Sequence, residues 1–433
     1  MILFFIRTFN DVDHMVPIIY KLAQHSSRKI FVLCQNPFFE IADDYRLNFL
    51  KEKFSHVMID YIYNSYLPTV MHRVIAFLIC NRYIRKTSKE GLALLCRFKL
   101  KEFVMWCSFM VFLKFFYEWS YGRFVKKKYF AERWAERFLR EMNATLLVFD
   151  HIDSKQYLTE SLLKASKKIG IQTVGVPNGL PLFSDSSMIN FDVYYREELK
   201  TNLDYLIVPH KVEANHRIRF GFNPEKLKIA GSARFCDEWE KILHKIVPSN
   251  QLPNHKLNGK LKVVYMERGL DRHGHYKGII KDTLRKIGDL DFIYLIVKPH
   301  TRNNKLYYED LPGHIDIAYD INSINLIRWS DVVMGTVSSI LLEALIQDKV
   351  FIYPKFFNKD KMLFEEMGAC LAVNSYDEIV TALRKIRSEP NCIPYSKENV
   401  GQFLANTVYG GLYGRDVLND YVKLLHSLEN KSI

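Results

Sequence analysis

Six residues in the second half of the chain have side chains that suit phosphate binding, and each comes shortly after an apolar run. They are Arg268, Lys298, His300, Thr336, Ser338 and Ser339. Cations, hydroxyls and free backbone N–H groups gathered at one place stabilise a dianion. In an open parallel sheet, ligands bind beyond the carboxyl ends of the strands. The sequence therefore predicts a nucleotide-phosphate pocket at one sheet edge.

The stretch from Trp329 to Pro354, WSDVVMGTVSSILLEALIQDKVFIYP, predicts how the two serines are held. It indicates a strand over Asp331 to Gly335, a polar turn, a helix over Ile340 to Ile346 and a second strand. The serines are predicted at the N-cap and in the first helical turn, a position that attracts phosphate. Glu343, one turn into the helix, is predicted to accept hydrogen bonds from ribose hydroxyls. An ordinary serine cap and an exposed helix glutamate are the alternative interpretations.

The first half of the chain places acid and base groups after its own predicted strands. The catalytic candidates are Asp13, His14, Asp150 and His151. On the acceptor side the candidates are Asn10, Asp11, Asn178 and Gly179. Carboxylates and histidines can take a proton from an acceptor hydroxyl near neutral pH.

Asp150 is the preferred base among these candidates. It ends the wholly apolar run Leu146 to Phe149, and partial desolvation makes a carboxylate a better proton acceptor. Asp13 instead opens a helix, whose dipole stabilises the anion, so we predict a capping or positioning role for it. The alternative for Asp150 is that it only caps the turn that follows.

Asp11-Val12-Asp13 formally spells DxD, a metal and nucleotide signature of another transferase fold. Here the motif starts a helix barely ten residues into the chain. A helix N-cap with an acidic first turn is the favoured interpretation. We therefore predict neither a metal site nor a cofactor.

Alternation of apolar runs and helical patterns predicts a doubly wound α/β fold with parallel strands. The predicted strands are Ile2 to Ile6, Lys29 to Cys34, Val57 to Ile62, Leu146 to Asp150, Thr173 to Pro177, Tyr205 to Pro209, Lys228 to Gly231, Leu261 to Met266, Phe292 to Val297, Val332 to Gly335 and Val350 to Tyr353. The predicted helices are Val12 to Gln24, Tyr157 to Ile169, Tyr276 to Lys286, Ser339 to Ile346, Asp377 to Arg387 and Gly414 to Leu428.

Length and composition favour two Rossmann-like domains that face each other across a cleft. The chain has 433 residues, more than one core usually sustains, and 48% hydrophobic residues. We predict an acceptor-side domain over 1–245, a linker over 246–260, a donor-binding domain over 261–412 and a terminal helix over 413–433. Seven cysteines without a CxxC pair indicate reduced core residues in a cytosolic protein. The N-terminus is predicted to be a strand and not a signal peptide.

An insert over 72–140 has sixteen Lys and Arg against five Glu, a net charge of +11 in a chain whose total is +13. Aromatic residues interleave with the basic ones. Its longest uncharged run, Phe103 to Leu113, is far shorter than the roughly 20 residues of a spanning helix. Basic helices with aromatic faces suit an anionic lipid surface. A buried helical hairpin with a solvated basic side is the alternative. Nucleic acid is not a predicted partner, because no recognisable nucleic-acid-binding motif accompanies the positive charge.

The sequence also resembles a known group of enzymes. The order KPH, then WSDVVMGTVSSILLEALIQDKVFIYP, preceded by FGFNPEKLKIAGSARFCDEW, is similar to the donor half of GT-B glycosyltransferases. The resemblance is to the group with CDP-glycerol glycerophosphotransferases and capsule transferases that use CMP-linked acid sugars. It covers about Leu203 to Pro354. It implies that His300, Ser338 and Ser339 contact the donor phosphates, with Thr336 beside them.

Two departures from that group affect what can be carried over. The chain has Asn178-Gly179 where CDP-glycerol transferases have a histidine before glycine, so the catalytic residue is not transferable. The paired serines follow Gly335, Thr336 and Val337 in place of the usual aspartate and tyrosine. The identity of the donor therefore stays open between CMP, CDP and UDP sugars.

The resemblance implies a metal-independent glycosyltransferase that extends a bacterial surface polysaccharide, such as capsule, O-antigen or lipopolysaccharide. Its acceptor would be a glycan or lipid-linked glycan, and its place the cytoplasmic face of the inner membrane. Three alternatives are a CDP-glycerol or ribitol phosphotransferase, a nucleotide-sugar 2-epimerase and a non-catalytic nucleotide-sugar-binding scaffold. The basic insert argues against the epimerase, whose soluble substrate needs no membrane.

Overall fold

The structure is a computed structural model that describes residues 1–36, 39–62, 132–151, 158–188, 203–249, 252, 259–268, 276–300, 311–390 and 392–430. Most of the basic insert, residues 72–131, lies outside these ranges. The membrane-surface prediction therefore concerns residues that the structure does not describe. Among the described residues, no helix is both long and apolar enough to cross a bilayer.

The first sheet has seven strands in the order β3-β2-β1-β4-β5-β6-β7. Each pair of neighbours whose register is described runs parallel. The buried residues of β1 and β4 form continuous apolar runs, as expected of strands covered on both faces. The strands are β1 Ile2–Ile6, β2 Ile30–Cys34, β3 Val57–Tyr61, β4 Leu146–Asp150, β5 Gln172–Val176, β6 Tyr205–Val208 and β7 Leu227–Ile229.

Seven described helices come before the linker region, and the first begins earlier than predicted. Its N-cap is Thr8, and the Asp11 carboxylate accepts hydrogen bonds from the backbone N–H groups of Arg7 at 2.7 Å and Thr8 at 2.9 Å. These bonds satisfy N–H groups at the helix start, so the helix begins at Phe9. The seven are Phe9–His25, Tyr45–Lys53, Glu132–Glu141, Thr159–Ile169, Asp185–Met188, Lys211–Arg219 and Asp237–Ile246.

The second sheet has six strands in the order β10-β9-β8-β11-β12-β13, and every described pair is parallel. Successive residues of its central strands alternate between two apolar clusters: Val264 and Val333 belong to one, Val263 and Val332 to the other. Both faces are therefore covered. The strands are β8 Leu261–Met266, β9 Ile293–Lys298, β10 Asp316–Ile317, β11 Val332–Gly335, β12 Val350–Pro354 and β13 Leu371–Val373.

Helices in the later part of the chain include several that the sequence pattern did not indicate. Ser323–Trp329 is one of these, and its N-cap Asn322 accepts a hydrogen bond from the N–H of Ile324. The described helices are Lys277–Gly288, Ser323–Trp329, Leu341–Ile346, Leu363–Glu366, Tyr376–Ser388, Lys397–Thr407 and Val417–Glu429.

The contacts divide the chain into two compact units. The first comprises Met1–Asn178, Lys200–Ile207 and Tyr421–Ile433, and the second comprises Gly179–Leu199 and Val208–Asp420. The predicted first domain, 1–245, extends further along the chain than the first segment of this unit. The predicted class of two Rossmann-like α/β domains on parallel sheets is confirmed.

Gly335 ends β11 where there is little room for a side chain. A Cβ at this position would lie 2.8 Å from Cδ2 of Leu341 and 3.3 Å from the carbonyl oxygen of Met266. Leu341 is fully buried, so its side chain cannot move aside without disturbing the core. The absence of a Cβ therefore lets the following turn and helix fold back onto the strand.

We predict that Gly335→Ala lowers the free energy of unfolding by about 1–3 kcal/mol, the usual cost of overpacking a core. Gly278→Ala is the matched control, because a Cβ there would meet nothing within 4 Å. In a helix, that control should be neutral or stabilising by up to about 1 kcal/mol. Urea denaturation measures both variants. Equal effects from the two substitutions would contradict the packing argument.

Candidate functional site

The carboxyl ends of β8, β9 and β11 lie side by side, because these strands are neighbours in the second sheet. Glu267, after β8, donates its backbone N–H to the carbonyl of Lys298 at 3.0 Å. The Arg268 guanidinium donates a hydrogen bond to the carbonyl oxygen of Val337. The structure therefore brings Arg268, Lys298 and the turn after β11 to one edge, and we call residues 267–268, 298–300 and 336–339 the β8–β9–β11 edge.

The two serines lie in the turn before the helix and not at its cap. The helix N-cap is Ile340, which has helical dihedral angles and no capping side chain. The N-cap prediction for Ser338 and Ser339 is therefore wrong. Their carbonyl oxygens accept hydrogen bonds from the N–H groups of Leu341 at 3.3 Å and Leu342 at 3.1 Å. The two serines therefore contribute backbone acceptors, and not side-chain caps, to the start of the helix.

Both serine side chains are half-buried at this edge. Within the ranges that the structure describes, neither hydroxyl makes a hydrogen bond to another residue. Thr336, two residues earlier, is buried, and its carbonyl accepts from the N–H of Ser338 at 3.1 Å. The turn thus presents Ser338 and Ser339 as its accessible hydroxyls, while Thr336 belongs to the interior.

Lys298 is buried at the end of β9 and holds the chain that follows β10. Its Nζ donates to the carbonyl oxygens of Ala318 at 2.9 Å and Tyr319 at 2.8 Å. Burial lowers its pKa to about 8, against a smaller opposing effect of Asp320. The ammonium group is therefore buried behind the β8–β9–β11 edge and is not exposed on it. His300, two residues later, is half-buried beyond the end of the strand.

Glu343 lies inside the second unit, contrary to the prediction that it contacts ribose. Its side chain is fully buried, and its Oε1 receives Nε2 of His244 at 3.2 Å and Nε2 of Gln347 at 2.6 Å. The carboxylate faces the Asp237–Ile246 helix, which supplies His244. Because no part of the side chain is exposed, a ribose hydroxyl has no access to it in this structure.

In the first unit, Asp150 forms a buried ion pair with Arg7. The burial predicted for Asp150 is confirmed, with a side chain only 3% exposed. The sequence analysis did not predict this arginine. Its guanidinium donates a hydrogen bond to Oδ1 of Asp150. The carboxylate therefore serves as the partner of a cation and is not accessible as a base. Arg7 follows β1 directly, and that position at a strand end was the available signal for it.

The other carboxylates of this edge also have cationic or backbone partners. Asp11 is fully buried; its burial raises its pKa, opposed by Arg7 and by the N–H groups that it accepts from. It completes the capping box of the first helix, whose N-cap is Thr8, and its side chain has no exposed surface for an acceptor. Asp13 forms an ion pair with Arg46, which also binds Asp44. The Asp13 side chain is 13% exposed.

The remaining candidates of the predicted acceptor-side domain are Asn10, His14, His151, Asn178 and Gly179. Asn10 donates its side-chain N–H to the carbonyl of Asn178 at 3.1 Å, so two predicted acceptor-side residues meet. His14 is buried in the first helix, and His151 is buried after β4. Gly179, which follows Asn178, has room for a side chain because an added Cβ would meet nothing within 4 Å.

The fold is similar to that of several enzymes that handle nucleotide sugars. UDP-GlcNAc 2-epimerase from Methanocaldococcus jannaschii, solved with UDP-GlcNAc and UDP, has a TM-score of 0.53 at 13% identity, over 99% of this chain and 100% of that chain. HepE from Anabaena, solved with UDP and glucose, has a TM-score of 0.52 at 11% identity, over 99% and 98%.

A glycosyltransferase from Rickettsia africae matches with a TM-score of 0.50 at 13% identity, over 99% of this chain and 98% of that chain. No family model and no curated protein sequence matches this chain. At such low identities the likeness concerns the fold, which is of the GT-B type shared by these epimerases and glycosyltransferases.

The buried ammonium of Lys298 predicts a pH dependence of stability. Its pKa is lowered from 10.5 to about 8 in the folded state, so between these values the unfolded chain binds more protons than the folded chain. The free energy of unfolding then rises with pH. Below about pH 8 the cost of burying the charge is fully present, and above about pH 10.5 it is absent.

We therefore expect the unfolding free energy of the wild type, relative to Lys298→Met, to increase as pH rises from 8 to 10.5. Urea titrations at several pH values measure this difference. Lys385→Met, at an exposed helix position, is the control and should show no such trend. A wild-type advantage that stays flat or shrinks over this window would contradict the assignment.

Proposed function

We propose that this protein is an enzyme that acts on a sugar linked to a nucleoside diphosphate. The observation that carries the proposal is the β8–β9–β11 edge. There a guanidinium is fixed on the Val337 carbonyl beside two accessible serine hydroxyls. Arg268 and the Ser338 and Ser339 hydroxyls would bind the diphosphate, with His300 beside them, and Lys298 would add positive charge from below.

Among the reactions of such substrates, 2-epimerisation has the stronger support from the comparisons. The similar structures include UDP-GlcNAc 2-epimerases that match almost the full length of this chain, and one was solved with UDP-GlcNAc and UDP. We accordingly put UDP first among the nucleotides, ahead of CMP and CDP. The polyol phosphotransferase alternative has no counterpart among these structures.

Glycosyl transfer to a bacterial surface polysaccharide is the second candidate. The observation that favours it is the net charge of +11 over residues 72–140, because a lipid-linked acceptor would bring the enzyme to an anionic membrane surface. A soluble nucleotide sugar needs no such surface. Under this candidate the protein works at the cytoplasmic face of the inner membrane and the first unit binds the glycan.

Product analysis separates these possibilities. Incubation with UDP-N-acetylglucosamine alone should yield the 2-epimer if the first candidate holds, and it should leave the sugar configuration unchanged if transfer to an acceptor is the reaction. Tight UDP binding without turnover, with or without acceptor glycans, would instead favour the scaffold. A failure to bind any of CMP, CDP, UDP, GDP or TDP in thermal-shift assays would sink the proposal, because a ligand that binds only the folded state raises its melting temperature.

Binding to vesicles bears on the transfer candidate. We expect the full chain to pellet with phosphatidylglycerol vesicles and to be released by salt, since each surface Lys or Arg contributes about 1 kcal/mol. Neutral phosphatidylcholine vesicles should recover much less protein. Equal recovery on both lipids, or none on either, would remove the electrostatic membrane contact.

The serine pair gives a direct prediction. Replacing Ser338 and Ser339 together with alanine should weaken UDP binding by tenfold or more, because a hydrogen bond to a charged group is worth about 1.5–3 kcal/mol. Since neither hydroxyl caps a helix, the melting temperature without ligand should stay the same. Ser388→Ala, which removes a bond to the Lys385 carbonyl, is the control. Unchanged affinity in calorimetry would exclude the serines from the phosphate site.

The proton acceptor is proposed to be Asp13 in preference to Asp150, with His14 and His151 as the remaining candidates. A base must touch its substrate, and Asp13 is the more exposed of the two carboxylates. Arg46 forms ion pairs with both Asp13 and Asp44, and these pairs hold Asp13 in place. The Asp150 carboxylate instead serves as the buried partner of Arg7.

The two isosteric variants should therefore behave differently. Asp13→Asn should lower turnover of UDP-N-acetylglucosamine by about a hundredfold. Because Asp13 pairs with the buried Arg46, this variant should also have a lower free energy of unfolding. Asp150→Asn weakens a buried charged hydrogen bond, so the free energy of unfolding should fall by about 2–3 kcal/mol. Kinetics and urea denaturation measure the two effects. A stable Asp150→Asn protein without turnover, together with an active Asp13→Asn protein, would return the base to Asp150.

A further inference from the structure

Two helices of the second unit face each other, and each contributes two polar residues that are four positions apart. The Asp237–Ile246 helix presents Glu240 and His244, four residues apart, and Glu343 lies opposite on the Leu341–Ile346 helix, with Gln347 four residues further on. Residues at this spacing lie on one face of a helix. One ligand atom from each of Glu240, His244 and Glu343 lies within 4.8 Å of the others.

Both carboxylates are buried, with exposed fractions of 4% for Glu240 and 0% for Glu343. Three of their four oxygen atoms, both of Glu240 and Oε2 of Glu343, have no hydrogen-bond donor among the described residues. Two enclosed carboxylates that face each other are costly unless cations or donors compensate them. Besides His244, the positive charge of the Arg234 guanidinium acts on both carboxylates.

The His244 imidazole does not satisfy both carboxylates as a hydrogen-bond donor. Its Nε2 lies 3.2 Å from Oε2 of Glu240 and 3.2 Å from Oε1 of Glu343. A single N–H shared between two oxygens makes at best a weaker three-centre bond, and charge-assisted hydrogen bonds of this kind are shorter, about 2.7–2.9 Å. The contact with Glu240 has no hydrogen-bond geometry, since Oε2 is without a donor.

These distances are close to the edges of a metal coordination shell. Zinc bonds of about 2.0–2.2 Å to nitrogen and oxygen place neighbouring donor atoms of a tetrahedral site about 3.3–3.6 Å apart. The two separations from Nε2 are 3.2 Å. One cation at the centre would bind the nitrogen and both carboxylates at full strength, whereas a single proton on Nε2 is shared between the two carboxylates.

From this geometry we infer that Glu240, His244 and Glu343 form a binding site for a divalent transition metal, for which one imidazole and two carboxylates suit Zn²⁺. Gln347 supplies the fourth group. Its Nε2 now lies 2.6 Å from Oε1 of Glu343 and 3.4 Å from Nε2 of His244. A half-turn of the amide exchanges Nε2 for the carbonyl oxygen, which is a metal ligand and otherwise has no donor.

The site is structural and lies inside one unit. A bound metal would join the Asp237–Ile246 helix to the Leu341–Ile346 helix, whose start is fixed by the turn that contains Ser338 and Ser339. It is separate from the DxD sequence of the first helix, where Asp11 and Asp13 have other partners. The inference does not depend on the proposed reaction.

The test uses the full chain, first treated with chelator and desalted. Titration with Zn²⁺ alone in a calorimeter should show one high-affinity site, and Co²⁺ should give the visible absorption of a tetrahedral complex. His244→Ala should lower the affinity by about a hundredfold or more, since even second-shell changes cost 10- to 100-fold. Glu240→Gln, which keeps the side-chain volume, should also weaken binding.

His314→Ala is the matched control. His314 lies 3.2 Å from Asp289, the same separation, but both side chains are about half-exposed and only one carboxylate is present. This variant should bind Zn²⁺ like the wild type. Absence of a high-affinity site in the wild-type chain would overturn the inference, as would equal loss in the His244 and His314 variants. The Co²⁺ spectrum of the wild type decides the matter without any variant, in case Glu240→Gln or His244→Ala fails to fold.

Discussion

Parallel pairing of β8 with β9 on one side and β11 on the other is the constraint on which the rest of the second unit depends. The registers Met266 with Lys298 and Met266 with Gly335 bring three chain ends to the same level. Each strand then leaves the sheet at that edge, so Arg268, His300 and the serine turn follow strand ends at the same level although they are far apart in sequence. A parallel sheet does this without any contact between the side chains themselves.

The sequence was sufficient for the strands because continuous apolar runs need burial on both faces. β8, β9, β11 and β12 were predicted within a residue or two of their observed bounds. β10 and β13 were not predicted, since they are two and three residues long and partly exposed. The pairing of edge strands depends on neighbours that a local pattern does not show. The short Ser323–Trp329 helix was missed for a related reason, since its length gives little periodicity.

Within the candidate site, residue types at strand ends were easier to predict than their partners. Arg268 and the serines lie after β8 and β11, the strand ends at which the sequence pattern predicted them. The pairing of Asp150 with Arg7, of Asp13 with Arg46 and of Glu343 with His244 joins residues 143, 33 and 99 positions apart. No periodicity encodes such contacts. For Asp150 and Glu343 the partner changes the expected role, because a carboxylate engaged inside the protein cannot also meet a substrate.

The contact between Gly335 and Leu341 has an evolutionary consequence. The strand and the helix share one small volume, so that bulk at one position excludes bulk at the other. Related chains that carry alanine or serine at the strand end should have a smaller residue than leucine six positions later, and the two positions should covary. The length of the serine turn would then be conserved more strictly than its composition, since an inserted residue would move the helix away from the strand that it covers.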